Sequence, residues 1–92
     1  MAKFLMLGKY SAEAVKGMSA ERTKKVSETI AGSGGKVDAM YATLGCHDLA
    51  LIVDFPGTGE AMKASTALTK LTGIGFNTSP AVTVAEFDKL IG

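Results

Sequence analysis

Residues 49–55 have the sequence Leu-Ala-Leu-Ile-Val-Asp-Phe, an apolar run that contains a single charge. A short run rich in branched apolar side chains predicts a buried strand. Because successive side chains of a strand point to opposite faces, both faces of this strand are apolar. The two sets are Leu49, Leu51, Val53 and Phe55 on one face and Ala50 and Ile52 on the other. A strand of this kind is expected inside a sheet that is covered on both sides.

The beginning of the chain has the same character. Residues 3–10, Lys-Phe-Leu-Met-Leu-Gly-Lys-Tyr, predict a strand in which Phe4 and Met6 oppose Leu5 and Leu7. Two apolar strands of this type predict the centre of a sheet.

Two weaker segments supply the remaining strands. Residues 36–44 precede a turn at Gly45-Cys46-His47, and this short connection to residues 49–55 predicts an antiparallel hairpin. Residues 74–82 are interrupted by a glycine, an asparagine and Pro80. Proline has no N–H to donate to a central ladder, so we expect this strand at an edge.

Capping residues mark the helices of the first half. Ser11 is the predicted N-cap of a brief helix over residues 11–17, and Ser19 is the predicted N-cap of a longer helix to about residue 31. The glycine-rich residues 32–35 end the second helix.

The second half has a similar punctuation. Thr58 is the predicted N-cap of a helix to about residue 72, which Gly73 ends. Thr83 followed by Glu86 has the spacing of a capping box and predicts a short terminal helix.

The element order is therefore βαββαβ with a terminal helix. This order predicts an α+β, ferredoxin-like sandwich, a four-stranded antiparallel sheet with helices on one face. The two main helices can cover only one face of strands that are apolar on both. We expect a second copy to cover the other face, sheet against sheet; the alternative is shielding by loops and the terminal helix.

Composition limits the possible function classes. The 92 residues form one predicted domain, residues 1–92, with a net charge of +1, which excludes a strongly basic nucleic-acid binder. A single cysteine excludes an internal disulfide framework. No apolar run approaches the ~20 residues that span a bilayer. We expect a cytoplasmic protein that does not bind nucleic acid or membranes.

Several segments resemble the GYD domain family, and the resemblance covers nearly the whole chain. They are Tyr-Ser-Ala-Glu-Ala-Val-Lys-Gly at residues 10–17, Arg22, and Tyr-Ala-Thr-Leu-Gly at residues 41–45 leading to Asp48. His47 stands where the family pattern Tyr-x-Thr-Leu-Gly-x-Tyr-Asp usually has tyrosine. The resemblance implies a dimeric α/β barrel, in a superfamily that includes monooxygenases, isomerases, haem-handling enzymes and ligand-binding regulatory domains. The fold therefore does not select an activity.

The densest group of reactive side chains is Cys46-His47-Asp48. His47 and Asp48 are candidate catalytic residues, because a carboxylate beside an imidazole can orient it as a general base. The alternative is a hairpin turn in which Asp48 accepts hydrogen bonds from backbone N–H groups and His47 is solvated. The triplet alone has too few ligands for a metal site, so no metal ligands are assigned.

Four further residues are candidates for ligand binding. Tyr41 and Thr43 lie two residues apart on one strand face and suit a small polar ligand, or they reflect ordinary strand propensity. Arg22, singled out by the resemblance, and Lys9, in the basic first half, are candidates for attracting an anion.

These observations leave three hypotheses. The first is a homodimeric small-molecule-binding or accessory module with a cavity between sheet and helices. The second is a small dimeric-barrel enzyme, cofactor-free or dependent on haem or a metal, that uses His47 and Asp48 for proton transfer. The third is a structural assembly protein. The identity of any cofactor is left open.

Overall fold

The structure, a computed structural model, describes all 92 residues. The elements are β1 (Ala2–Tyr10), α1 (Ala12–Lys16), α2 (Ala20–Gly32), β2 (Lys36–Ala42), β3 (Leu49–Phe55), α3 (Thr58–Thr72), β4 (Ile74–Ala81) and α4 (Val84–Ile91). The sheet has the strand order β2-β3-β1-β4, and all neighbouring strands are antiparallel. The predicted α+β, ferredoxin-like fold is confirmed. No helix is both long and apolar enough to span a bilayer.

Side-chain caps begin three of the four helices, as the sequence indicates. Gly73 adopts the left-handed conformation (φ 75°) and ends α3, a geometry that glycine adopts without strain. The caps are Ser11, Ser19 and Thr83, whose hydroxyl oxygens accept from the N–H groups of Ala14, Arg22 and Glu86.

Three predicted boundaries are wrong. The N-cap of α3 is the extended Gly57, and Thr58 is already helical, because the first intrahelical bond runs from the N–H of Ala61 to the carbonyl of Gly57. β2 ends at Ala42 rather than residue 44, because the chain then turns through Gly45 (φ 114°). β4 ends at residue 81, one residue early.

The core lies between the sheet and the helices. Phe4 and Phe55 meet there edge to face, with ring centroids 5.7 Å apart. α2 contributes Val26 and Ile30, and α3 covers the other half of the same face. The buried core is Phe4, Met6, Ala14, Val26, Ile30, Leu49, Leu51, Val53, Phe55, Ala61, Ala64, Leu68 and Ile74.

The other face of the sheet has no helix on it. We call it the open sheet face, and its central residues follow from strand alternation and register: Leu5, Leu7, Ala39, Tyr41, Ala50, Ile52, Asn77 and Ser79. None of these residues is buried. α4 also has no buried residue, so it does not act as a shield for this face.

A β-bulge in β2 decides which of its side chains reach the core. The register shifts between Val37 and Ala39, and both Val37 and Met40 pack against the core. Simple alternation from Val37 would place Tyr41 on the same side. The extra residue instead places Tyr41 on the open sheet face.

Gly35 is predicted to be sensitive to a single added methyl group. A Cβ at this position would lie 2.6 Å from the buried ring of Phe55, so Gly35→Ala should destabilise the protein by about 1–3 kcal/mol. Gly32→Ala is the matched control, because nothing lies within 4 Å of its Cβ, and it should stay within about 1 kcal/mol of the parent. Urea unfolding of both variants tests this, and equal stabilities would contradict it.

Candidate functional site

A cavity of about 370 Å³ lies between α2 and the sheet. We call it the helix–sheet cavity. Seven of its ten lining residues are hydrophobic. Each strand contributes one lining residue, and the rest come from α2 and the two residues before it. The strand residues are Tyr10, Met40, Leu49 and Ile74.

Arg22 is the only charged residue that lines this cavity. Its backbone N–H donates to the Ser19 hydroxyl at 3.0 Å, which places the side chain in the first turn of α2. Its guanidinium carbon lies 5.5 Å from the centroid of the Tyr10 ring, and one guanidinium N–H donates to the carbonyl of Ala14. The cation–π contact and the hydrogen bond hold the partly buried guanidinium at the wall of the cavity.

Gly17 leaves room for this guanidinium. A Cβ at Gly17 would lie 2.9 Å from Nη1 of Arg22. A larger residue at this point of the turn between α1 and α2 would have to shift the end of the Arg22 side chain.

Asp48 ties the β2–β3 loop to the end of β1. Its carboxylate accepts from the N–H of Tyr10 at 2.8 Å, and its own N–H donates to the carbonyl of Gly8 at 2.8 Å. The amine of Lys9 lies 3.8 Å from the same carboxylate. Because the Tyr10 ring lines the helix–sheet cavity, Asp48 is a positioning residue for one wall of that cavity.

His47 takes part in the loop through its backbone. Its carbonyl accepts from the Thr43 hydroxyl at 2.7 Å, and the N–H of Thr43 donates to the carbonyl of Asp48 at 2.9 Å. No hydrogen bond joins the His47 imidazole to the Asp48 carboxylate. The arrangement corresponds to the hairpin-turn alternative, in which Asp48 accepts from a backbone N–H. Proton transfer by these two residues stays a prediction.

The structure divides the sequence-predicted residues among three places. Arg22 lines the helix–sheet cavity, whereas Tyr41 is 62% exposed on the open sheet face, on the opposite side of the sheet. Thr43, His47 and Asp48 lie in the β2–β3 loop. Tyr41 and Thr43 therefore do not line the helix–sheet cavity. Lys9, whose amine lies near the Asp48 carboxylate, does not line this cavity either.

Sequence reasoning missed two residues of the cavity region, Tyr10 and Gly17. Both belong to the residue 10–17 segment that carries the family resemblance. Their signal was present in that segment, but the role of Tyr10 depends on a contact with Arg22 in another element.

A second charged cluster lies at the far end of the open sheet face. The amine of Lys3 donates to the carboxylates of Asp38 and Asp54. The hydrogen bond from Lys3 lowers the pKa of Asp38 below its ordinary value of 3.8, and the bond to Asp38 raises the pKa of Lys3 above 10.5. One lysine thus pairs with two carboxylates, and the three groups together carry a net charge of −1. No group of three or more His, Cys, Asp or Glu side chains in the chain is arranged to hold a metal ion, and the Cys46 thiol is free and exposed.

Removal of the Asp48 carboxylate should loosen the end of β1. Asp48→Ala leaves the Tyr10 N–H without its acceptor and should lower the free energy of unfolding by about 1–2 kcal/mol. Asp48→Asn keeps a side-chain acceptor and loses only the partly exposed pair with Lys9, so it should retain most of the stability. Urea unfolding, with hydrogen exchange of the Tyr10 amide, measures both effects. A fully stable alanine variant with a protected Tyr10 amide would refute this role.

Comparison with known proteins agrees with this architecture. No curated protein matches the sequence significantly. The GYD domain matches residues 4–91, which include the helix–sheet cavity, the β2–β3 loop, most of β1 and the whole of the other three strands. The chain therefore belongs to the GYD domain family.

Proposed function

We propose that this protein is a homodimeric module that binds a small molecule in the helix–sheet cavity. The cavity itself is the observation that supports binding. Ligand sites are typically concave, mostly apolar and about 300–1,000 Å³ in volume, with a few polar groups that orient the ligand. At about 370 Å³, with seven hydrophobic lining residues and one arginine, the helix–sheet cavity meets each of these criteria for a small ligand.

The composition of the open sheet face supports the proposal of a second chain. Leu5, Leu7 and Ile52 form an apolar centre on this face. Charged residues of both signs stand at its two ends, with Lys3 and Asp54 at one and Lys9 and Asp48 at the other. An apolar centre with a polar rim is the usual composition of a protein interface. Since each end carries both signs, two copies of this face can meet without a net repulsion.

The exposed apolar side chains of the terminal helix α4 also support the proposal of a second chain. It has eight residues, and isolated helices shorter than about 12 residues are marginal in water. Its four large apolar side chains are 51–76% exposed, and they are Val84, Phe87, Leu90 and Ile91. Glu86 shares a shallow depression with Lys3 and Asp54, so α4 begins beside the open sheet face. A second chain on that face would be in reach of this apolar helix, which it would stabilise.

No observation favours the enzyme hypothesis over this one. An acid–base pair at residues 47 and 48 would need the carboxylate to orient the imidazole, and no hydrogen bond joins these two side chains, while one oxygen of the carboxylate accepts from the Tyr10 N–H. In the assembly hypothesis the apolar surface serves higher oligomers and the cavity needs no ligand, so a binding experiment distinguishes it from the proposal.

A charge at the centre of the open sheet face should dissociate the dimer. Ile52→Lys would bury an unpaired amine between two sheets, and we expect the protein to become a folded monomer in sedimentation-velocity experiments at micromolar concentration. Met62→Lys is the control, because Met62 is an exposed residue of α3 on the opposite side of the molecule, and it should leave the dimer intact. A parent protein that sediments as a monomer would overturn the dimer.

A neutral fluorescent probe tests the cavity. N-phenyl-1-naphthylamine should bind the parent protein with one site per chain and increased fluorescence. Ala20→Phe places a ring in the lining of the cavity from an exposed position of α2, and it should abolish this signal. Ile52→Lys is on the other side of the sheet and should retain the signal. A dimer whose fluorescence signal does not respond to Ala20→Phe would favour the assembly hypothesis.

A further inference from the structure

We infer that the ligand of the helix–sheet cavity is a small apolar carboxylate, whose carboxylate group binds Arg22. This inference rests on the proposed function, because it names the chemical class of ligand for the same cavity. It depends on a separate observation, namely the unpaired charge of Arg22.

Arg22 has no acidic partner in the chain. The four ion pairs of the structure are Lys3–Asp38, Lys3–Asp54, Lys9–Asp48 and Lys25–Glu21. Glu21, the acidic neighbour of Arg22 in the sequence, is the one that pairs with Lys25. The cavity lining contains no aspartate or glutamate. Glu13 and Glu21 line a neighbouring depression together with Arg22, but neither forms an ion pair with it. The direct contacts of this partly buried cation are therefore the Tyr10 ring and one carbonyl.

The guanidinium retains free donors that match a carboxylate. Arginine has five N–H donors, and the contact with the Ala14 carbonyl uses one nitrogen, Nη1. A planar carboxylate can accept two parallel hydrogen bonds from the remaining edge of the guanidinium. The two hydroxyls beside Arg22 do not compete for this role. The Ser19 hydroxyl accepts from the N–H of Arg22, and the Thr23 hydroxyl donates to the carbonyl of Ser19.

The charge of the site favours a monoanion. One guanidinium is the only cation in the lining, so a dianionic phosphate would bring one uncompensated charge into a largely apolar cavity, which is costly. A carboxylate brings one charge and leaves none uncompensated. The remainder of the ligand would face Val26, Met40 and Leu49, which offer no polar side-chain groups and favour an aliphatic or aromatic body.

Gly17 offers an independent way to perturb the same subsite. Gly17→Ala brings a Cβ within 2.9 Å of Nη1, at the flexible end of the Arg22 side chain, and so shifts the guanidinium without removing a polar group. The backbone at Gly17 has φ −88°, which alanine adopts readily, so the effect arises from the Arg22 side chain. Gly17 is thus a positioning residue for the carboxylate subsite.

The experiment compares phenylacetate with phenylacetamide, which has nearly the same shape and no charge. Both ligands are titrated into the intact protein, and binding is followed by ¹H–¹⁵N NMR. Dissociation constants of about 1 mM are expected for ligands of this size. The amide signals of Tyr10, Arg22 and Val26 should shift with both ligands. Phenylacetate should bind about tenfold or more tightly, because two charge-assisted hydrogen bonds distinguish it.

Three variants test the assignment to Arg22. Arg22→Gln should bring the affinity for phenylacetate down to that for phenylacetamide, and Gly17→Ala, which only shifts the guanidinium, should reduce the preference in part. Arg22→Lys should keep part of the preference, since it keeps the charge and loses the paired donors. Phenylacetamide should still bind to each variant, which shows that the cavity is intact.

The outcomes separate the two proposals. Equal binding of the two ligands by the parent protein would overturn the carboxylate inference and leave the binding function standing. Absence of any shift at the cavity residues with either ligand would overturn both. A preference for phenylacetate that survives Arg22→Gln would show that another group binds the anion, and it would overturn the assignment to Arg22.

Discussion

The structure depends on one constraint. The two central strands of the sheet are apolar on both faces, but a single layer of helices covers only one face. β3 is paired with β1 along its whole length, and the two strands contribute Phe4, Met6, Leu51 and Val53 to the core beneath the helices. The same pairing necessarily lines up Leu5 with Ile52 on the side where no helix lies. Pairing of β1 with β3 thus creates an apolar surface on each face of the sheet. The helices of one chain cover only one of these two surfaces.

The β2–β3 loop connects this constraint to the candidate site. Asp48 bonds to the backbone of β1 at two points, through its carboxylate and through its own N–H. The loop that completes the hairpin therefore also determines where the end of β1 lies, and with it the Tyr10 ring. Arg22 packs over that ring from α2, and Gly17 leaves space for the guanidinium. Of the candidate catalytic residues in this loop, Asp48 thus supports the wall of the cavity and does not line it.

The sequence was sufficient for the fold because the fold is determined by local signals: apolar runs, hydroxyl caps and the helix-ending Gly73. It was insufficient for the site because the site depends on two long-range facts. The bulge between Val37 and Ala39 sends Tyr41 to the open sheet face, and no residue type in β2 announces a bulge. The partners of Arg22 belong to β1 and α1, so its orientation depends on how these elements pack. The predicted N-cap of α3 was wrong by one residue, because threonine and glycine are both acceptable at an N-cap.

The exposed apolar side chains of the chain are not spread evenly over its surface, and their distribution bears on both the proposed dimer and the cavity. As many large hydrophobic side chains are exposed as there are residues in the buried core, 13 in each case. Seven of the exposed ones belong to the open sheet face or to the segment after β4, namely Leu5, Tyr41, Val82, Val84, Phe87, Leu90 and Ile91. Apolar surface that concentrates on one side of a domain marks an interaction surface rather than a random excess. If a second chain covers that side, the helix–sheet cavity stays open, because it lies on the opposite side of the same sheet. The proposed partner and the proposed ligand would therefore not compete for surface, and one chain could hold both at once.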